Sequence, residues 1–124
     1  MINATIVVIE DEGYLVDAYK AKLGKLFTQV LVARDGVQAL RLIHEVKPDL
    51  VLLDLNLPQK SGLDVLKDLK ASNKTSNIPV LVASNNSDVS TIDTVKKLGA
   101  VDYYIKSNVS INELIEMCKK YLDS

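Results

Sequence analysis

Glu10, Asp11, Asp54, Ser84 and Lys106 are the residues whose types and places offer chemistry in this sequence. Each ends or follows a short apolar run. The acidic triplet Glu10-Asp11-Glu12 comes after TIVVI, Asp54 after LVLL, Ser84 after IPVLVA and Lys106 after YYI. Brought together, Glu10, Asp11 and Asp54 would crowd negative charge into a few ångströms, which is unfavourable without a counter-charge. A divalent cation relieves it, and Mg2+ suits one or two carboxylates with waters, a carbonyl and a phosphate oxygen. Asp54 is the best-placed nucleophile, since a carboxylate can accept a phosphoryl group. Lys106 supplies a mobile positive charge for one phosphate oxygen, and Ser84 a hydroxyl donor for another. Such a set stabilises the charge spread over a transferring phosphoryl group.

Taken singly, each residue has a plainer reading. An Asp at a strand end is usually a turn or capping residue. The acidic triplet suits the first turn of a helix, and Glu12 is read that way. Ser84 opens the turn-forming run Ser84-Asn85-Asn86-Ser87, and an isolated lysine is ordinarily solvated. Only their convergence raises the reading above turn chemistry.

Convergence depends on the elements. Short apolar runs at 5–10, 29–33, 50–54, 78–83 and 101–105 read as strands. Amphipathic stretches at 11–26, 36–46, 62–71, 88–98 and 111–122 read as helices. The expected inward faces include Leu15, Ala18, Tyr19, Leu23 and Leu26 in the first helix. The fourth offers Val89, Ile92, Val95 and Leu98, and the fifth Ile111, Leu114, Ile115, Cys118 and Leu122. Pro48 ends the second helix, Gly99 follows the fourth, and Ser or Asp residues stand ready to cap the last two. Five β–α units imply an α/β domain over 1–124, an open doubly wound parallel sheet with helices on both faces. In such sheets ligands sit beyond the carboxyl ends of the strands, where the polar residues lie.

Composition narrows the functions. The 124 residues are 48% hydrophobic and 25% charged, with a net charge of −1. Near-neutrality argues against direct nucleic-acid binding, which needs a basic excess. The apolar runs are too short to cross a bilayer, and no basic n-region opens a signal peptide. One Cys (Cys118) and one His (His44) exclude an internal disulfide and a His/Cys zinc site. A cytoplasmic domain is expected. His44 reads as a surface residue, and Cys118 and Tyr121 read as packing.

The ordered motifs VVIEDE (7–12), KPDLVLLDLNLP (47–58), Gly62, IPVLVAS (78–84), LGA (98–100) and YYIK (103–106) resemble the receiver domain of two-component response regulators, of the single-domain, chemotaxis-regulator kind. The resemblance runs over essentially the whole chain. It implies a flavodoxin-like sheet with strand order 2-1-3-4-5. It also implies that Asp54 is the phosphoacceptor and that Glu10 and Asp11 are the acidic pair for Mg2+, with the Asn56 backbone carbonyl as a further ligand. Ser84 becomes the switch hydroxyl, Lys106 the site lysine, and Tyr103 the switch aromatic that turns inward. The partners implied are a sensor histidine kinase or histidine phosphotransfer protein, with a downstream protein or a second copy meeting the fourth-helix, fifth-strand and fifth-helix surface. The domain would be no enzyme in the ordinary sense, assisting only its own phosphorylation and dephosphorylation.

Three departures stand out. Glu-Asp replaces the commoner Asp-Asp, lengthening one metal arm. Asn85 stands where a small residue usually follows the switch hydroxyl and is expected to narrow access. Ser107 replaces a proline, and the Lys106–Ser107 bond is expected to be cis as in the family, at a cost of about 3 kcal/mol. Competing readings fare less well. An aspartate-nucleophile phosphatase of the haloacid dehalogenase type needs a second Asp where Asn56 stands. A flavodoxin-like mononucleotide carrier needs a phosphate cradle where Glu10-Asp11-Glu12-Gly13 is acidic. A receiver-like docking module independent of phosphorylation is the main alternative, opposed by the joint presence of Asp11, Asp54, Ser84 and Lys106.

Overall fold

Continuous runs of Val, Ile and Leu make strands that need cover on both faces, and the chain builds its sheet from such runs. The computed structural model describes residues 1–122. The strands β1 (Ile2–Ile9), β2 (Phe27–Ala33), β3 (Leu50–Leu53), β4 (Val80–Ser84) and β5 (Asp102–Ile105) alternate with α1 (Gly13–Leu23), α2 (Gly36–Val46), α3 (Gly62–Ala71), α4 (Val89–Lys97) and α5 (Ile111–Leu122). A 3-10 turn, Lys106–Asn108, follows β5. Every strand pair is parallel, in the order β2-β1-β3-β4-β5. This is the open doubly wound sheet that the β–α alternation implied.

Side chains alternate along each strand, so the sheet feeds two cores. Val7, Ile9, Val51, Leu53, Val80 and Val82 pack with Ile43 of α2, Leu66 and Leu69 of α3 and Val95 of α4. Ile6, Val8, Leu50, Leu52, Leu81 and Ala83 face Tyr19 and Leu23 of α1 and Leu114, Ile115 and Cys118 of α5. No helix among the described residues is long and apolar enough to cross a membrane.

The element edges follow local chemistry. Asp35 caps α2 by accepting from the Gln38 N–H, and Ser61 caps α3 by accepting from the Asp64 N–H. At the start of α5 the Ser110 hydroxyl accepts from the Glu113 N–H, while the Glu113 carboxylate accepts from the Ser110 N–H. That reciprocal pair is a capping box. Asp88 occupies the capping position of α4 but makes no side-chain cap bond.

Several edges differ from the periodic reading. β1 starts at Ile2 because Ile2 pairs with Phe27, and the Ile2 N–H donates to the Leu26 carbonyl at 2.6 Å. α1 is shorter at both ends than 11–26, running from Gly13 to Leu23. Its fully buried residues are Val16, Tyr19 and Leu23, whereas Leu15 and Ala18 are only half-buried. Val89, expected inward, is 73% exposed as the first residue of α4, and Val95 alone in that helix is fully buried.

Candidate functional site

The register Ile9↔Leu53 puts the next residues, Glu10 and Asp54, side by side at the carboxyl rim of the sheet. Backbone bonds anchor both. The Glu10 N–H donates to the Ala33 carbonyl and the Asp54 N–H to the Ile9 carbonyl, each at 3.0 Å. Glu10 is 2% exposed and Asp54 7%, so each carboxylate requires partners. Lys106 is shared between them: its Nζ donates to Oε1 of Glu10 at 2.7 Å and to Oδ2 of Asp54 at 3.2 Å. Backbone N–H groups take the other oxygens. Oε2 of Glu10 accepts from Asp11 at 3.1 Å and from Glu12 at 3.2 Å, and Oδ1 of Asp54 accepts from Asn56 at 3.2 Å.

The electrostatics follow from that burial. Loss of water raises the Glu10 carboxyl above its usual range, and the Asp54 charge adds to this against the pull of Lys106. Burial acts to lower the Lys106 ammonium, but its bond to Glu10 and the charges of Asp54 and Glu10 outweigh it, leaving Lys106 above its ordinary value. Lys106 is therefore a firm cation between two acids.

Asp11 lies exposed beside this cluster. Asp11, Glu10, Asp54 and the Asn56 carbonyl are all oxygen donors, the kind that a hard cation takes. Among the described residues no three acidic, His or Cys side chains form a ready-made metal cage. Glu10 is turned onto Lys106 and the following backbone instead. This donor set fits Mg2+, which binds through one or two carboxylates and keeps several waters.

Ser84 ends β4 fully buried, its Oγ accepting from the Asn86 N–H at 3.2 Å. Tyr103 lies inward on β5 at 8% exposure, and its hydroxyl donates to the Asn86 carbonyl at 2.6 Å. Burial raises the Tyr103 phenol above its usual value. Tyr104 faces the opposite core, and its hydroxyl and that of Tyr121 both donate to Oδ2 of Asp102 at 3.3 Å. His44 is on the surface and Cys118 is buried, as their positions suggested.

The Lys106–Ser107 bond is trans, contrary to the expected cis form; no cis peptide bond occurs among the described residues. Without proline the cis form costs about 3 kcal/mol. The chain turns instead through Lys106–Asn108, and the Ser107 N–H donates to Oδ1 of Asn85 at 3.0 Å. Neither this bond nor the Asn86 carbonyl as the acceptor for Tyr103 was foreseen. The only sequence signal was a run of turn formers, which names no partner for any of them.

A profile of the response regulator receiver domain matches residues 6–119. Sporulation initiation phosphotransferase F of Bacillus subtilis is 31% identical over 122 residues, 98% of this chain and 96% of that protein. Among solved structures, the receiver domain of Francisella response regulator 1452 superposes with a TM-score of 0.88 at 29% identity, covering 98% of each chain. The Mn2+-bound form of response regulator Rcp1 superposes with a TM-score of 0.83 at 25% identity, over 98% of this chain and 96% of that one.

Proposed function

The chain belongs to the response regulator receiver domain family, and so to phosphorylation-based two-component signalling; we propose that its switch is Asp54, phosphorylated by a phosphohistidine partner in the presence of Mg2+. The observation that carries this reading is Lys106 held between Glu10 and Asp54 at the rim of the sheet.

In the proposed step a carboxylate oxygen of Asp54 attacks phosphorus while the P–N bond of the phosphohistidine breaks. The imidazole leaves with the bonding pair, and the product is an aspartyl phosphate. Lys106, already 3.2 Å from Asp54, meets the charge that moves onto a phosphoryl oxygen. Glu10 keeps Lys106 protonated and in place. The Ser84 hydroxyl accepts from the Asn86 N–H and so keeps its own proton to donate to a second phosphoryl oxygen. Asp11, Asp54, Glu10 and the Asn56 carbonyl are the residues that would hold Mg2+, which when bound offsets the repulsion between carboxylate and phosphoryl group.

Signalling then follows the hydrogen bonds. Asn86 joins Ser84 to Tyr103, so a shift at Ser84 reaches the α4–β5–α5 surface. We assign the upstream partner as a sensor histidine kinase or histidine phosphotransfer protein. The downstream partner is a protein or a second copy at that surface. The domain acts on no separate substrate, assisting only its own gain and loss of the phosphoryl group. This reading sets the chain in the cytoplasm.

Incubation with Mg2+ and acetyl phosphate, read by intact mass, tests the proposal. Wild type gains one phosphoryl group, whereas Asp54→Asn, or wild type with the metal chelated, gains none. No addition to wild type would favour a docking module that works without phosphorylation.

A further inference from the structure

Strand pairing Ser84↔Ile105 makes β4 and β5 leave the sheet at the same level, so the segments starting at Asn85 and Lys106 run side by side. Two side chains bridge them. Tyr103 reaches forward from β5 to the Asn86 carbonyl at 2.6 Å, and Asn85 reaches across so that its Oδ1 accepts from the Ser107 N–H at 3.0 Å. Ser107 directly follows Lys106, whose Nζ must span Glu10 and Asp54. A backbone bond one residue beyond Lys106 limits where that side chain can start.

We infer that Asn85 is a positioning residue: its bond to the Ser107 N–H clasps the β4–α4 loop to the turn after β5 and aims Lys106 at Asp54. The two unusual residues form a single device, because Asn85 needs an N–H at position 107 and a proline there has none. The clasp also gives Asn85 a different role from a bulky gate over Asp54. A gate would act whatever stands at 107, whereas a clasp acts only through its donor. Asn85 and Ser107 are both exposed, so the effect is that of one solvent-accessible hydrogen bond.

The positioning role rests on Asp54 being the phosphoacceptor, but the clasp has a readout of its own. Amide hydrogen exchange by NMR should show the Ser107 N–H exchanging roughly tenfold faster in Asn85→Ala than in wild type, with Asn85→Asp, which keeps an acceptor, restoring protection. The rate of phosphorylation by acetyl phosphate with Mg2+ should fall about threefold to tenfold in Asn85→Ala and recover in Asn85→Asp. In a Ser107→Pro background Asn85→Ala should change the rate no further, because the donor is already gone. Equal effects of Asn85→Ala in both backgrounds would overturn the clasp in favour of a gate. Unchanged Ser107 exchange in Asn85→Ala would overturn it outright, and lost protection with an unchanged rate would overturn its role in aiming Lys106. If Ser107→Pro fails to fold, the Asn85→Ala and Asn85→Asp pair decides alone. A wild type that takes no phosphoryl group defeats the phosphoacceptor reading and with it the aiming of Lys106; the Ser107 exchange still reports whether the contact exists.

Discussion

At the scale of single residues, the site depends on one cation serving two buried acids. Replacing Lys106 by Met keeps the length of the stem and deletes the charge. Phosphorylation by acetyl phosphate should then slow by about a hundredfold or more, the usual consequence of removing a group aimed at developing charge. Stopped-flow or intact-mass time courses check this, and a rate within a fewfold of wild type would remove Lys106 from the chemistry. Asp54, Ser84 and Lys106 were legible in the sequence because each ends an apolar run, and parallel strands deliver their ends to one rim. What each atom bonds was not legible. Nothing in the sequence foretold that the Glu10 carboxylate, besides being a candidate metal arm, takes two backbone N–H groups and Lys106. The expected cis bond after Lys106 also failed, because the replacement of proline removes the reason for it and supplies an N–H that Asn85 accepts.

At the scale of elements, the site depends on how closely the β3–α3 connection returns to its own strand. Gly62 opens α3 against the Asp54 carbonyl and the Leu55 backbone, and a Cβ there would collide with both. Gly62→Ala should therefore displace the Asp54 backbone, lowering stability by about 1 to 3 kcal/mol and slowing phosphorylation together. Urea unfolding and phosphorylation rate measured on the same preparation test this, and loss of neither would contradict the packing. The helices at Gly36–Val46, Gly62–Ala71 and Ile111–Leu122 were legible to the residue from their apolar spacing, and the structure caps their starts with Asp35, Ser61 and the Ser110/Glu113 box. The strand starts at Ile2 and Phe27 were not, because each is set by its pairing with the other, and pairing leaves no periodic trace. Val89 was misjudged for a related reason: helical spacing gives a face, while the end of a helix can lie beyond the core it faces.

At the scale of the whole molecule, one of the two apolar layers, the one against α1 and α5, encloses protons that the unfolded chain releases more readily. Burial pushes the Cys118 thiol up to about 12 and the Tyr104 phenol, beside Asp102, up to about 12. Both groups lie above their free values, so the folded chain holds these protons more tightly than the unfolded one. The resulting stability is complete below about pH 8.5, where the unfolded thiol begins to ionise, and is lost as pH climbs towards 12. The melting temperature should therefore fall steadily above about pH 9, and iodoacetamide at about pH 8 should leave native Cys118 unmodified until denaturant is added. A flat alkaline profile, or rapid native alkylation, would contradict the enclosed α5 layer. The same two layers fix the rim on which all the proposed signalling depends, so the identity of the phosphorylated residue is the decisive fact. After phosphorylation with Mg2+, borohydride reduction converts an aspartyl phosphate to homoserine, and peptide mass mapping locates it. Homoserine is expected at position 54 alone; homoserine at Asp11 or elsewhere, or a stable phosphoryl group that borohydride leaves intact, would rule out Asp54 as the phosphoacceptor.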